Sequence, residues 1–162
     1  MESDPTPAHG TIVIDPSPYM ANLVTQMLRH LGRKDISETS TAQQALLLLQ
    51  RQPFALVIVD DALEDMDGIE LTRQLRADPE SPNRLVPVIM MSSAPDAKRI
   101  AAARDAGITE FLRKPFAANH LQSRLDSIAS RPRGFVDAAT YHGPDRRRRS
   151  LDTGLADRRK QG

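Results

Sequence analysis

The chain of 162 residues predicts an α/β fold: one five-stranded, doubly wound parallel sheet with helices on both faces, followed by an arginine-rich C-terminal extension. Three observations lead there. Short apolar runs alternate five times with segments of helical periodicity between residues 10 and 130. The runs are near-continuously apolar rather than alternating, the pattern of strands covered on both faces, and right-handed crossovers then wind the helices onto both sides. After Ser130 the periodicity stops, and turn residues and charge take over.

The first run, "TIVID" (11–15), is β-branched and ends in an acid. In "PSPYMANLVTQMLRHLG" (16–32), Leu23, Met27, Leu28 and Leu31 recur at helical spacing, and Gly32 stands where a helix stops. A weak strand near Asp35–Thr39 precedes the helix "TAQQALLLLQRQ", for which Thr41 is the expected N-cap. The buried-type strand "FALVIVDD" (54–61) leads to the helix "DGIELTRQLRAD" and the loop "PESPNRL". Strand "VPVIMMSS", helix "DAKRIAAARDAG", strand "TEFLRK" and helix "AANHLQSRLDSIAS" complete the body. Residues 1–9 are expected to be disordered, 10–130 to form the domain, and 131–162 to be a ligand-binding tail, disordered when free apart from Phe135 and Val136 docked on the body.

Composition narrows the function. With no cysteine, disulfide frameworks, thiolate metal sites and cysteine nucleophiles are excluded. The start "MESDPTPAHG" is not a secretion signal, and no run approaches the roughly 18 apolar residues that span a bilayer, so a cytoplasmic protein without membrane insertion is expected. Net charge is +1, but it is unevenly placed: residues 1–130 hold 13 Lys and Arg against 17 Asp and Glu, whereas 131–162 hold 9 against 4. An acidic body carries a basic tail. His9, His30, His120 and His142 show no metal-ligand spacing and are expected at the surface.

In a parallel sheet the carboxyl ends of the strands converge on one edge, where chemistry collects. Here they end in Asp15, in Asp60 and Asp61, in Ser92 and Ser93, and in Lys114 before Pro115. A lone acid at such a place is more often solvated or caps the next helix. Four elements ending this way fit a hard cation such as Mg²⁺, with an aspartate accepting a phosphoryl group that Ser and Lys then hold.

Through "IVID", "LVIVDDALEDMDGIEL", "PVIMMSSAP" and "FLRKPF", in that order and spacing, residues 10–130 resemble the CheY-like receiver domain of response regulators, a flavodoxin-like fold. The resemblance implies Asp60 as phosphoacceptor, Asp15, Asp60 and the backbone carbonyl of Ala62 as Mg²⁺ ligands, Ser92, Phe111 and Lys114 as switch residues, and a cis Lys114–Pro115 bond. It also implies a histidine kinase as a partner. "IDPSP" departs from the family pattern, placing Pro16 where a second metal-binding acid belongs, and Glu64 replaces a loop proline. The metal site is therefore weakened; Glu64 or Asp61 can partly compensate, although Asp61 alternates to the other face if the strand persists.

The tail echoes itself, "GPDRR" at 143–147 and "GLADRR" at 154–159, with Asp145 and Asp157 twelve residues apart. Arginine forks pair with guanine O6 and N7 and with phosphates, while aspartate accepts from the guanine N1–H and amine. Asp-Arg-Arg used twice, at 145–147 and 157–159, thus suits guanine plus phosphate recognition applied to a ligand that itself has two halves, Tyr141 and Pro144 adding stacking or presetting the turn. A basic C-terminal run by itself is more often a solvated or nucleic-acid-binding tail.

A degenerate receiver followed by "YHGPDRRRR…GLADRRK" resembles the Cle group of CheY-like proteins. That resemblance implies cyclic di-GMP, with its two guanines and two phosphates, as the tail's ligand, as an intercalated dimer if two molecules bind, with Arg146, Arg147, Arg148, Arg149, Arg158 and Arg159 as ligand residues and Asp145 and Asp157 as guanine acceptors. It also implies docking on the flagellar motor switch, with recruitment to the flagellated pole. The expectation is a non-enzymatic effector. Its competitors are a single-domain regulator controlled by phosphorylation of Asp60 and an adaptor that binds nucleic acid through the basic tail.

Overall fold

A computed structural model describes residues 9–130, the backbone of 135–138, and residues 141–145. Five strands, β1 (Thr11–Ile14), β2 (Ile36–Thr39), β3 (Leu56–Asp60), β4 (Val88–Ser92) and β5 (Glu110–Arg113), form one parallel sheet in the order β2-β1-β3-β4-β5. Between and after them run α1 (Pro18–His30), α2 (Ala42–Arg51), α3 (Gly68–Ala77), α4 (Ala97–Ala106) and α5 (Ala118–Ser130). The expected fold class is thus the observed one.

Alternate residues of each strand feed two cores. Ile12, Ile14, Val57, Val59, Val88 and Met90 pack with α2, α3 and α4 on one face. Val13, Leu56, Ile58, Ile89 and Met91 pack with α1 and α5 on the other. Local chemistry fixes the helix starts: Ser17, Thr41, Asp67 and Asp96 accept from backbone amides one turn in, and Pro18 occupies the first turn of α1. Thr41 is the N-cap that the sequence indicated. α2 has a second cap from outside itself, because the Asp65 carboxylate accepts from the amides of Ala42 (2.9 Å) and Gln43 (3.0 Å), which lowers its pKa.

Beyond α5 the sequence pattern offered no element, and the structure corrects this for 135–138 and 141–144. β6 (Phe135–Ala138) and β7 (Tyr141–Pro144) form an antiparallel pair in which Phe135 faces Pro144 and Ala138 faces Tyr141. Four-residue strands are too short to show a period. β7 packs on α3 and α4. The Tyr141 ring is buried, and its hydroxyl donates to the Pro144 carbonyl at 2.5 Å. Gly143 (φ 155°) meets Gly107 (φ 105°), the left-handed residue that ends α4; a Cβ on Gly143 would lie 2.7 Å from the Gly107 Cα. Arg76 of α3, also buried, donates through Nε to the Gly107 carbonyl at 3.0 Å and through one terminal nitrogen to Arg84 O at 2.6 Å; burial lowers its pKa to about 10. The expected docking of Phe135 and Val136 concerns side chains outside the described residues, as do residues 1–8.

Truncating Tyr141 to Ala empties a buried site. The full chain should lose roughly 2 kcal/mol of stability in urea unfolding, below the range for fully internal aromatic truncations because this site lies at the periphery. An unchanged midpoint would mean that β7 adds nothing to the body.

Candidate phosphoacceptor site

The parallel register brings the expected site residues to one level: Asp60 lies opposite Met91 of β4, and Ser92, the next residue, lies opposite Arg113, just before Lys114. Asp15 follows β1, its amide bonded to the Thr39 carbonyl at 3.1 Å. Asp15, Asp60, Asp61 and Ser92 are all buried.

Lys114 joins the two acceptor-side carboxylates, its Nζ donating to Asp15 Oδ2 at 2.7 Å and Asp60 Oδ2 at 2.5 Å. Their other oxygens accept from the amides of Ser17 and Ala62, each at 2.9 Å. Burial disfavours the ammonium, yet the hydrogen bonds and charges of Asp15 and Asp60 outweigh it and hold the Lys114 pKa above its ordinary value. The inner site thus holds two anions and one internal cation.

Asp61 is turned toward α4, where its Oδ2 accepts from Ser92 Oγ at 2.9 Å and from Arg99 Nε at 3.2 Å. The Ser92 hydroxyl, expected as a switch group, is therefore paired with Asp61. Arg99 also donates to Asp61 O at 3.0 Å and to the two oxygens of Asp67 at 2.8 and 3.1 Å. Glu64 is exposed, so neither acid stands in for the one missing at Pro16. Among the described residues, no three His, Cys, Asp or Glu side chains group to hold a metal. The remaining donors, Asp15, Asp60 and the Ala62 carbonyl, fit an Mg²⁺ ion that keeps several waters, because that ion commonly uses only one or two carboxylates.

Phe111 is half-buried and lines a groove of about 550 Å³ with Ile100, Arg104, Arg113 and Arg124; the Arg124 Nε donates to its carbonyl at 2.9 Å. The Lys114–Pro115 bond is cis. Tyr141 and Pro144 are buried against the body, so neither presents a free stacking face, which corrects that part of the sequence expectation. Asp145 is half-exposed; Arg146, Arg147, Arg148, Arg149, Asp157, Arg158 and Arg159 lie outside the described residues. Sequence reasoning missed Arg99, which is an ordinary helix cation until the fold sets it beside two acids. It also missed Gly68, where a Cβ would lie 2.2 Å from the Asp60 carbonyl oxygen; the Asp-Gly step at the start of α3 was its only signal.

The model for the response regulator receiver domain matches residues 11–126. The chain belongs to the response regulator receiver family. Relatives of this receiver include the chemotaxis protein CheY-3 of Vibrio cholerae, 32% identical over 120 residues that cover 74% of this chain and 91% of that protein. Chemotaxis protein CheY of Pseudomonas aeruginosa is 28% identical over 123 residues, 76% of this chain and 98% of that one. Among solved structures, the chemotaxis response regulator CheY4 of Vibrio cholerae shares the fold with a TM-score of 0.68 at 20% identity, covering 75% of this chain and 99% of that one. The receiver domain of the sensor histidine kinase PA1611 from Pseudomonas aeruginosa, with magnesium coordinated in its active-site cleft, superposes with a TM-score of 0.65 at 26% identity, over 74% and 96% of the two chains. No helix of the described residues is long and apolar enough to cross a membrane.

Removing the internal cation leaves two buried carboxylates facing each other. In Lys114→Met, urea unfolding of the full chain should show a loss of about 3–5 kcal/mol, the ordinary result of stripping one partner from a buried pair; an unchanged midpoint would refute the pairing. Burial alone would raise the Asp67 pKa, but hydrogen bonds from Arg99 and the Ile69 amide and the charges of Arg99 and Arg73 hold it below its ordinary 3.8. A depressed acid contributes stability that is complete above the unfolded-state pKa and lost as pH falls through the folded one. Unfolding free energies of the wild type should therefore show an acid limb below pH 3.8 that shrinks in Asp67→Asn.

Proposed function

We propose that the protein is a non-enzymatic receiver effector: its arginine-rich tail captures cyclic di-GMP, and the ordered tail with the receiver surface then docks on a protein partner, the flagellar motor switch. The observation that carries this reading is the anchored strand β7. Buried Tyr141 and the Gly143–Gly107 contact fix the chain up to Pro144, so the Asp-Arg-Arg unit at 145–147 starts from a set position on the body. Preorganisation of this kind lowers the ordering cost that a free tail would carry on binding. Asp145 and Asp157 accept from guanine edges, Arg146–Arg149, Arg158 and Arg159 take phosphates and guanine O6 and N7, and Tyr141 with Pro144 sets the turn. A ligand with two guanines suits the repeated unit, as an intercalated dimer if two molecules bind. Two of the relatives are chemotaxis proteins, which supports a place in chemotactic signalling; within it the flagellar motor switch is the proposed partner and the flagellated pole the proposed place of action.

A second reading has its own observation. Lys114, Asp60 and Asp15 stand together as phosphorylation by a histidine kinase requires, with Asp15, Asp60 and the Ala62 carbonyl as holders of Mg²⁺, which neutralises charge on the incoming phosphoryl group. In that case the tail is incidental, or serves as a nucleic-acid grip.

Calorimetric titration of cyclic di-GMP into the full chain, at physiological salt with GTP as competitor, separates the three. Under the main reading Asp145→Ala with Asp157→Ala weakens binding at least about tenfold, the loss of one or more charge-assisted contacts, while Asp60→Asn leaves it unchanged. No saturable binding, together with Asp60-dependent labelling by a phosphodonor, would establish the regulator instead. Nucleic-acid binding that falls steeply with salt and ignores both aspartates would establish the polycation.

A further inference from the structure

α4 is held firmly at its two ends and weakly between them. Its buried side chains are those of Ala103 and Ala106, too small to fix a helix on the sheet by interdigitation. At the N-terminal end, the Arg99 guanidinium makes bonds to the carboxylate and carbonyl of Asp61 and to both oxygens of Asp67, at 2.8 to 3.2 Å. The Asp61 oxygen that takes Arg99 Nε also takes the Ser92 hydroxyl. At the C-terminal end, Gly107 is pressed against β7: a Cβ there would meet His142 O at 2.7 Å, and its carbonyl is held by Arg76.

We infer that Arg99 is a positioning residue that holds the Ser92 hydroxyl on Asp61 rather than Asp60, and that α4 carries the state of this pairing to β7, so that the acceptor site and the docking of the tail's anchor are coupled. The inference does not depend on which ligand the tail takes. A group on Asp60 that draws the Ser92 hydroxyl removes one of the two donors on Asp61 Oδ2 and changes the hold on Arg99. A ten-residue helix about 15 Å long moves as a rod, and the glycine contact at its far end leaves no slack to absorb the shift. Coupling is reciprocal, so undocking β7 loosens the Arg99 pairing by the same factor.

Amide hydrogen exchange on the full chain tests both directions. Arg99→Gln is expected to speed exchange of the amides of residues 141–143 by on the order of fivefold or more, the lower end of ordinary coupling between sites. Arg99→Lys, which keeps the charge and loses the planar fork, should fall between that and the wild type. Arg104→Gln, on the same helix but outside these contacts, should leave 141–143 unchanged. Conversely, Gly143→Val, which forces β7 away from Gly107, should speed exchange of the Arg99 Nε–H, followed by NMR, by a similar factor. Acceleration confined to residues 61–67 and 96–100 in Arg99→Gln, or an unaltered Arg99 Nε–H in Gly143→Val, would overturn the coupling. Should Arg99→Gln fail to fold, Arg99→Lys and Gly143→Val decide it.

Discussion

The Lys114 ammonium lies between the carboxylates of Asp15 and Asp60, and the geometry of the whole carboxyl edge follows from that contact. Two anions brought this close inside a protein repel strongly unless a cation stands with them, and stripping one partner from a buried pair typically costs about 3–5 kcal/mol. β1 and β3 are neighbours in the sheet and β5 is its far edge, so the lysine spans the sheet's middle to reach both acids. With both carboxylates also taking backbone amides, the site holds its shape by its own charges.

A second arrangement of charge sits beside the first. Asp61, next in sequence to Asp60, has its carboxylate turned to the neighbouring helix and answered by Arg99. Two adjacent aspartates thus serve two ion pairs on two elements, Asp60 with β5 through the residue that follows it and Asp61 with α4. The strand's alternation separates them: one side chain enters the pocket and the next leaves it. The tail is anchored on α3 and α4, where α4 ends, whereas Arg99 stands in the first turn of that helix.

Much of this was legible in the sequence. The five strands are apolar runs in full view, and Asp15, Asp60, Ser92 and Lys114 end or follow four of them, so the fold alone gathers them. Three things were not legible. Ser92 bonds to Asp61 because Arg99, seven residues further on, fixes that carboxylate, and a three-body arrangement leaves no mark in spacing. Asn83, in a segment read only as a loop, is buried and bonds to Phe54 N at 2.7 Å and to Leu49 O at 2.7 Å, contacts more than 25 residues away in the chain that no local pattern encodes. β6 and β7 are four residues each, and β7 is held by one aromatic ring and two bare glycine backbones, a contact that depends on side chains being absent.

That contact gives a glycine two duties. Gly107 is required where it stands because α4 ends there in a left-handed turn that residues with a side chain adopt at a cost. The bare Cα it leaves on the surface is a notch made as a by-product of stopping a helix. The segment beyond α5 meets that notch with a glycine of its own, at 143, so that two positions without a side chain let the end of α4 and β7 touch backbone to backbone.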